Sequence, residues 1–154
     1  MVHALEEIHR LLQPGGYLID IHPARVVTQI EVRRGGVVTF CEPVSGETFE
    51  DIGWAEDALA QVTRDGLFTV EQADEFDWRI YASSVAELCD YIVQVSTYSE
   101  GTPFEVAALQ EPGMAARVQG ALQAAGVGAE VVCFIRICIT RLGRGGRSRV
   151  RAAG

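Results

Sequence analysis

The most openly chemical stretch of this sequence is Asp20-Ile21-His22-Pro23, which closes the apolar run Tyr17 to Ile21. An imidazole, with a reference pKa of about 6.5, can move a proton near neutral pH, so His22 is a candidate general base. Asp20 stands beside it as the second candidate. The plainer alternative is that the two residues close a polar strand end or pair with neighbouring arginines. Trp54 and Trp78 could line an aromatic pocket, but Trp78 alternates with Ile80 along a strand and is expected in the core. The four cysteines, Cys41, Cys89, Cys133 and Cys138, form no C-x-x-C pair. Cys133 and Cys138 lie five apart in a strand-like segment, which sets their side chains on opposite faces. None of His3, His9 and His22 falls at a ligand spacing to a cysteine, so we expect no metal and four reduced thiols acting as small buried apolar residues. His3 and His9, six apart on a helix, stand about 120° off a common face. No nucleophile has an obvious base partner, and the isolated chain does not read as a complete enzyme.

The elements that must position these groups follow from periodicity. Leu5, Ile8 and Leu12 make one face of a helix over 2–12, with Glu6, Glu7 and Arg10 opposite. Pro14-Gly15-Gly16 ends it, because proline cannot continue a helix and glycine accepts the left-handed exit. Tyr17 to Ile21 then suits a strand buried on both faces, as in a parallel sheet covered by helices. Val26 to Val32 and Val37 to Glu42, separated by "RRGG", predict a β-hairpin. A helix is expected over 54–65, closed by Gly66, and a long strand over 67–82. Ser84 with Glu87 three residues on forms a capping box for a helix to Val95. Further helix is expected on both sides of "EPG" at 111–113, stopping at Gly126. Ala129 to Leu142 is the most strand-like segment. This alternation predicts an α/β sheet covered by helices.

Composition narrows the function classes. The 154 residues suffice for one α/β domain, here 1–142, followed by a flexible arginine- and glycine-rich tail over 143–154. No apolar run reaches the roughly 20 residues of a membrane span, and the first residues lack a signal peptide's apolar centre. A cytoplasmic protein without membrane partners is the expectation. The net charge is −8, yet the last fourteen residues hold five arginines and no acid. The remainder sets eight basic residues against 21 acidic ones, a net charge of −13 that repels phosphate backbones. Nucleic acid contact is thus expected only through the tail, which resembles an arginine–glycine RNA-binding segment; a frayed, solvated terminus is the simpler expectation. All thirteen basic residues are arginine, a compositional bias we read as genomic.

"ALEEIHRLLQPGG" followed by "YLIDI" resembles the helix–PGG–strand signature of class I AdoMet-dependent methyltransferases of the type 11-like kind. In that family the signature precedes the fifth strand of a seven-stranded Rossmann-like sheet. The resemblance, spread over residues 2–142, implies a partial sheet: 17–22 as the fifth strand, 68–81 as the sixth and 129–142 as the seventh, with an inserted hairpin and covering helices. The seventh strand would lie between the other two and antiparallel to the sixth, with 17–22 a strand of parallel type. In such enzymes the tip of the fifth strand, here Asp20 to Pro23, borders the substrate. AdoMet, however, is held by the first half of the domain, through a glycine loop after the first strand and an acid ending the second. This chain carries neither. "GRGG" at 143–146 precedes too little chain for the helix a cofactor loop needs, and "RRGGVV" at 33–38 runs into a strand.

The resemblance therefore implies a truncated, methyltransferase-like chain without its AdoMet site and inactive alone. An interaction module, either a homodimer or a half-domain completed by a partner, is the alternative, and an RNA-binding accessory protein the third. Without a fourth strand, the strand at 17–22 would expose an apolar edge, and an open edge templates pairing with another chain. A homodimer through 17–22 is expected; a hairpin at 26–42 folded over that edge is the competing solution.

Overall fold

Leu5, Ile8 and Leu12 do form one apolar face of a helix, α1 (Val2–Leu11), in the computed structural model, which describes residues 1–44, 49–96 and 103–145. Gly15, at φ +77°, makes the left-handed exit that the Pro14-Gly15-Gly16 stop requires. The chain then continues as β1 (Tyr17–Pro23), β2 (Gln29–Arg34), β3 (Val37–Pro43), α2 (Glu50–Arg64), β4 (Phe68–Ala82), α3 (Val85–Val95), α4 (Phe104–Gln110), α5 (Pro112–Ala125) and β5 (Ala129–Arg144). The protein is mixed α/β, with helices and a five-stranded antiparallel sheet. It divides into two compact units, one of Met1–Arg25, Thr48–Phe76 and Ile137–Gly154, the other of Val26–Glu47 and Asp77–Arg136.

In the first unit β1 pairs antiparallel with the second half of β5, from Tyr17 opposite Gly143 to Pro23 opposite Ile137. Leu5, Ala58, Val62, Phe68 and Leu142 form its core, with Leu18 and Leu12 packed against them. His9 is buried beside this core, edge-on to the Phe68 ring at 5.5 Å, with Nε2 3.4 Å from the carbonyl oxygen of Gly145. In the second unit the hairpin β2–β3 turns on Gly35 and Gly36, both at positive φ, as a two-residue turn matched to strand twist demands. β2 also pairs with Ala129–Phe134 of β5. Ile30, Val32, Ile80, Leu88, Val118, Val131 and Cys133 centre the core of this unit beneath α3, α4 and α5. β4 pairs with β5.

The expected partnership of 129–142 with both 17–22 and 68–81 is present. The character of the strand at 17–22 is not as expected. It is antiparallel rather than parallel, and it is buried on one face only, with Tyr17, Ile19 and Ile21 52%, 41% and 59% exposed. An apolar run cannot distinguish a strand covered on both faces from one whose second face is open. Among the described residues the hairpin forms no ladder with β1; its β2 pairs with the first half of β5. Among the described residues β1 has no other ladder partner than β5.

Three smaller expectations change. Trp78 is 41% exposed rather than in the core, because β4 stays open along 69–78 and at this end buries only Ile80 and Ala82. Only Cys133 is fully buried; Cys89 and Cys138 are half-buried and Cys41 is exposed. The box at α3 is shifted: Ser84 Oγ accepts from the Glu87 amide, but the Glu87 carboxylate returns to the N–H and hydroxyl of Ser83. β5 runs on to Arg144, into the expected tail, while 146–154 lie outside the described residues.

Candidate functional site

Asp20 and His22 alternate along β1, so both side chains leave on the face that carries Leu18, beneath which the first core lies. There they meet each other. His22 Nδ1 lies 2.6 Å from Asp20 Oδ2, and His22 Nε2 faces Glu56 Oε1 of α2 at 3.6 Å. Arg25, just past β1, donates from Nη2 to Glu56 Oε2 at 2.5 Å. Both His22 and Asp20 are more than three-quarters buried at their side chains, while Glu56 and Arg25 open toward solvent. Gly53, one turn before Glu56, leaves room for this: a Cβ there would stand 3.2 Å from Arg25 Nη2.

Asp20 and His22 thus pair with one another, and His22 alone faces a carboxylate from α2; the arginine belongs to that carboxylate. Arg25 answers the charge of Glu56, and the Asp20 carboxylate lies against Nδ1 of the His22 ring. With Nδ1 bound to a carboxylate, the orientation of the ring is fixed, and Nε2 is the nitrogen turned toward Glu56.

Cys138, expected from the sequence only as a small buried apolar residue, lies on the same face. Cys138 is the direct ladder partner of His22, and Thr140 that of Asp20. Directly opposed antiparallel residues carry their side chains on one face with Cβ atoms about 5 Å apart. A reduced, half-buried thiol is thereby set against an imidazole that a carboxylate orients. No spacing rule reveals this, because Cys138 comes from the last strand and His22 from the first. Register alone unites them.

A larger recess of about 750 Å³, lined by Glu7, His9, Arg10, Leu67 and Arg144, is a weaker candidate despite a volume suited to small ligands. Its polar groups are already engaged: Arg10 Nε bonds Glu7, Arg144 bonds the Leu12 carbonyl, and His9 faces the Gly145 carbonyl. Trp54 is exposed on α2 in the first unit, and Trp78 belongs to the second unit. No group of three His, Cys, Asp or Glu side chains among the described residues is arranged to hold a metal ion. No helix among them is long and apolar enough to cross a membrane. No protein-family model and no curated protein matches this chain.

Proposed function

We propose that this chain is a methyltransferase-like half-domain that holds no methyl donor by itself and acts as a non-catalytic pairing module in the cytoplasm. The observation that carries this reading is the neighbour order of the strands, with β5 a partner of both β1 and β4. That is the arrangement implied for the fifth, seventh and sixth strands of a partial Rossmann-like sheet. The helix–PGG–strand stretch supports the same assignment, with α1, Gly15 and β1 in the expected order.

Donor binding in such enzymes needs a glycine loop that brings backbone N–H groups close to the cofactor, together with an acid on the ribose. Residues 1–154 supply neither. Calorimetric titration of the chain with AdoMet at ~100 μM, a concentration far above a micromolar Kd, is expected to give no saturable heat. A micromolar isotherm would overturn the reading.

The partner surface is β1. Its outer edge has no ladder partner among the described residues, and Tyr17, Ile19 and Ile21 form an apolar row on its open face. A second copy fits, because an antiparallel β1–β1 contact about a two-fold axis satisfies both edges with one patch. Light scattering at ~50 μM, where a moderately tight dimer is populated, should report about twice 16.7 kDa. A monodisperse 16.7 kDa species would exclude the homodimer. An RNA-binding role would rest on the 143–154 tail alone, and nothing in β1 or the His22 cluster favours it.

A further inference from the structure

The geometry points to Cys138 as a modification site, a thiol activated by His22 and Asp20 that takes soft carbon electrophiles. The three residues share one face of the β1–β5 ladder, with Cys138 directly opposite His22 and Asp20 bound to Nδ1 of the ring. His22 Nε2 remains to receive the thiol proton. In the reaction the Cys138 sulfur forms a bond to the electrophilic carbon, and the leaving group departs with the electron pair of its own bond. The proton passes to Nε2, so the cluster exchanges charge internally before the sulfur reacts. Glu56, the other acid facing this ring, is answered by Arg25 and does not oppose a thiolate alone.

The other thiols lack this setting. Cys133 is fully buried in the second core. Cys41 is exposed, but its Sγ donates to Gln29 Oε1 at 3.2 Å, and desolvation followed by the Glu31 charge pushes the thiol up. Desolvation, with Asp90 beside it, pushes Cys89 up as well. Both are held toward the unreactive neutral form, since the thiolate is the nucleophile. Exposure would rank Cys41 first; the imidazole ranks Cys138 first. The inference is independent of the methyltransferase-like reading.

Iodoacetamide is the probe. The full chain is labelled at neutral pH for graded times, quenched and cut with trypsin, which separates Cys138 in Ile137–Arg141 from Cys133 in Val118–Arg136. Cys138 should label about tenfold or more faster than Cys41 and Cys89, the advantage of a thiolate fraction raised by a neighbouring cation. In His22→Asn with unchanged circular dichroism, that advantage should vanish. Equal or faster labelling of Cys41 or Cys89 overturns the proposal, as does an unchanged Cys138 rate in folded His22→Asn. If that variant fails to fold, the pH profile of the unaltered chain decides. An ordinary thiol slows about 80-fold from pH ~9 to pH ~6.5. Cys138 should slow by less than about tenfold, and a full 80-fold loss overturns the assignment.

Discussion

Arg25 reaches Glu56 because position 53 of α2 carries no side chain, and the contact can be tested there. A Cβ on Gly53 would meet only the flexible end of Arg25, at 3.2 Å from Nη2, and that side chain is about half exposed. The guanidinium can move away, whereas alanine gains up to about 1 kcal/mol over glycine inside a helix. Gly53→Ala should therefore stabilise the fold by about 0.5 kcal/mol in urea unfolding while loosening Arg25 from Glu56. A second residue-scale test lies at Glu42, whose carboxylate is gripped by the Arg117 guanidinium through two nitrogens. The Arg117 hydrogen bonds hold Glu42 below its ordinary value of 4.5. A carboxylate lowered in the folded state adds stability that is complete above the unfolded pKa and is lost as pH falls through the folded one. Stability should thus fall more steeply below pH 4.5 in the wild type than in Arg117→Ala, with chemical unfolding at graded pH as the measurement. Equal slopes would remove this pair from the acid response.

At the scale of elements, glycine has opposite consequences in the hairpin and in α5. Gly36 sits at φ +82°, where a Cβ costs about 1 kcal/mol or more. Gly120 lies in the helix with nothing within 4 Å of an added Cβ. Gly36→Ala should lower stability by about 1 kcal/mol and Gly120→Ala should raise it by about 0.5–1 kcal/mol, both read as shifts in denaturation midpoint. These local features were legible in the sequence, because "GG" between β-branched runs and Ser84–Glu87 before an apolar helix each encode their own backbone geometry. The bounds of α2 were less so, since its first turn at Glu50 and Asp51 precedes the apolar repeat that marks the helix. The open face of β1 was not legible at all. Leu18 packs inward and Ile19 outward, yet both are apolar, so burial there is decided by what lies above the strand. The approach of Cys138 to His22 was hidden for a related reason: a ladder register between the first and last strands leaves no trace in local spacing.

For the whole molecule, β1 and net charge act against each other. Two copies that meet along β1 bring −8 against −8, a repulsion that salt screens over roughly 8–10 Å at physiological strength. Self-association should therefore tighten as sodium chloride rises from about 0.02 to 0.3 M, a trend that sedimentation or light scattering can follow. Weakening with salt would point to ion pairs rather than to Tyr17, Ile19 and Ile21 as the source of the contact. Ile19→Lys sets a cation into this apolar row and should leave a folded 16.7 kDa monomer. A variant that still dimerises at wild-type strength would place the contact elsewhere. The free edge also has a signature in the amide protons. Along an antiparallel edge strand, the N–H groups alternate between those locked to the neighbour and those turned outward. β1 of a lone chain should accordingly show deuterium uptake with a period of two from Tyr17 to His22, every second amide exchanging early. Pairing with a second copy would silence the early set and make the whole strand uniformly slow, so the state of the edge can be read one proton at a time.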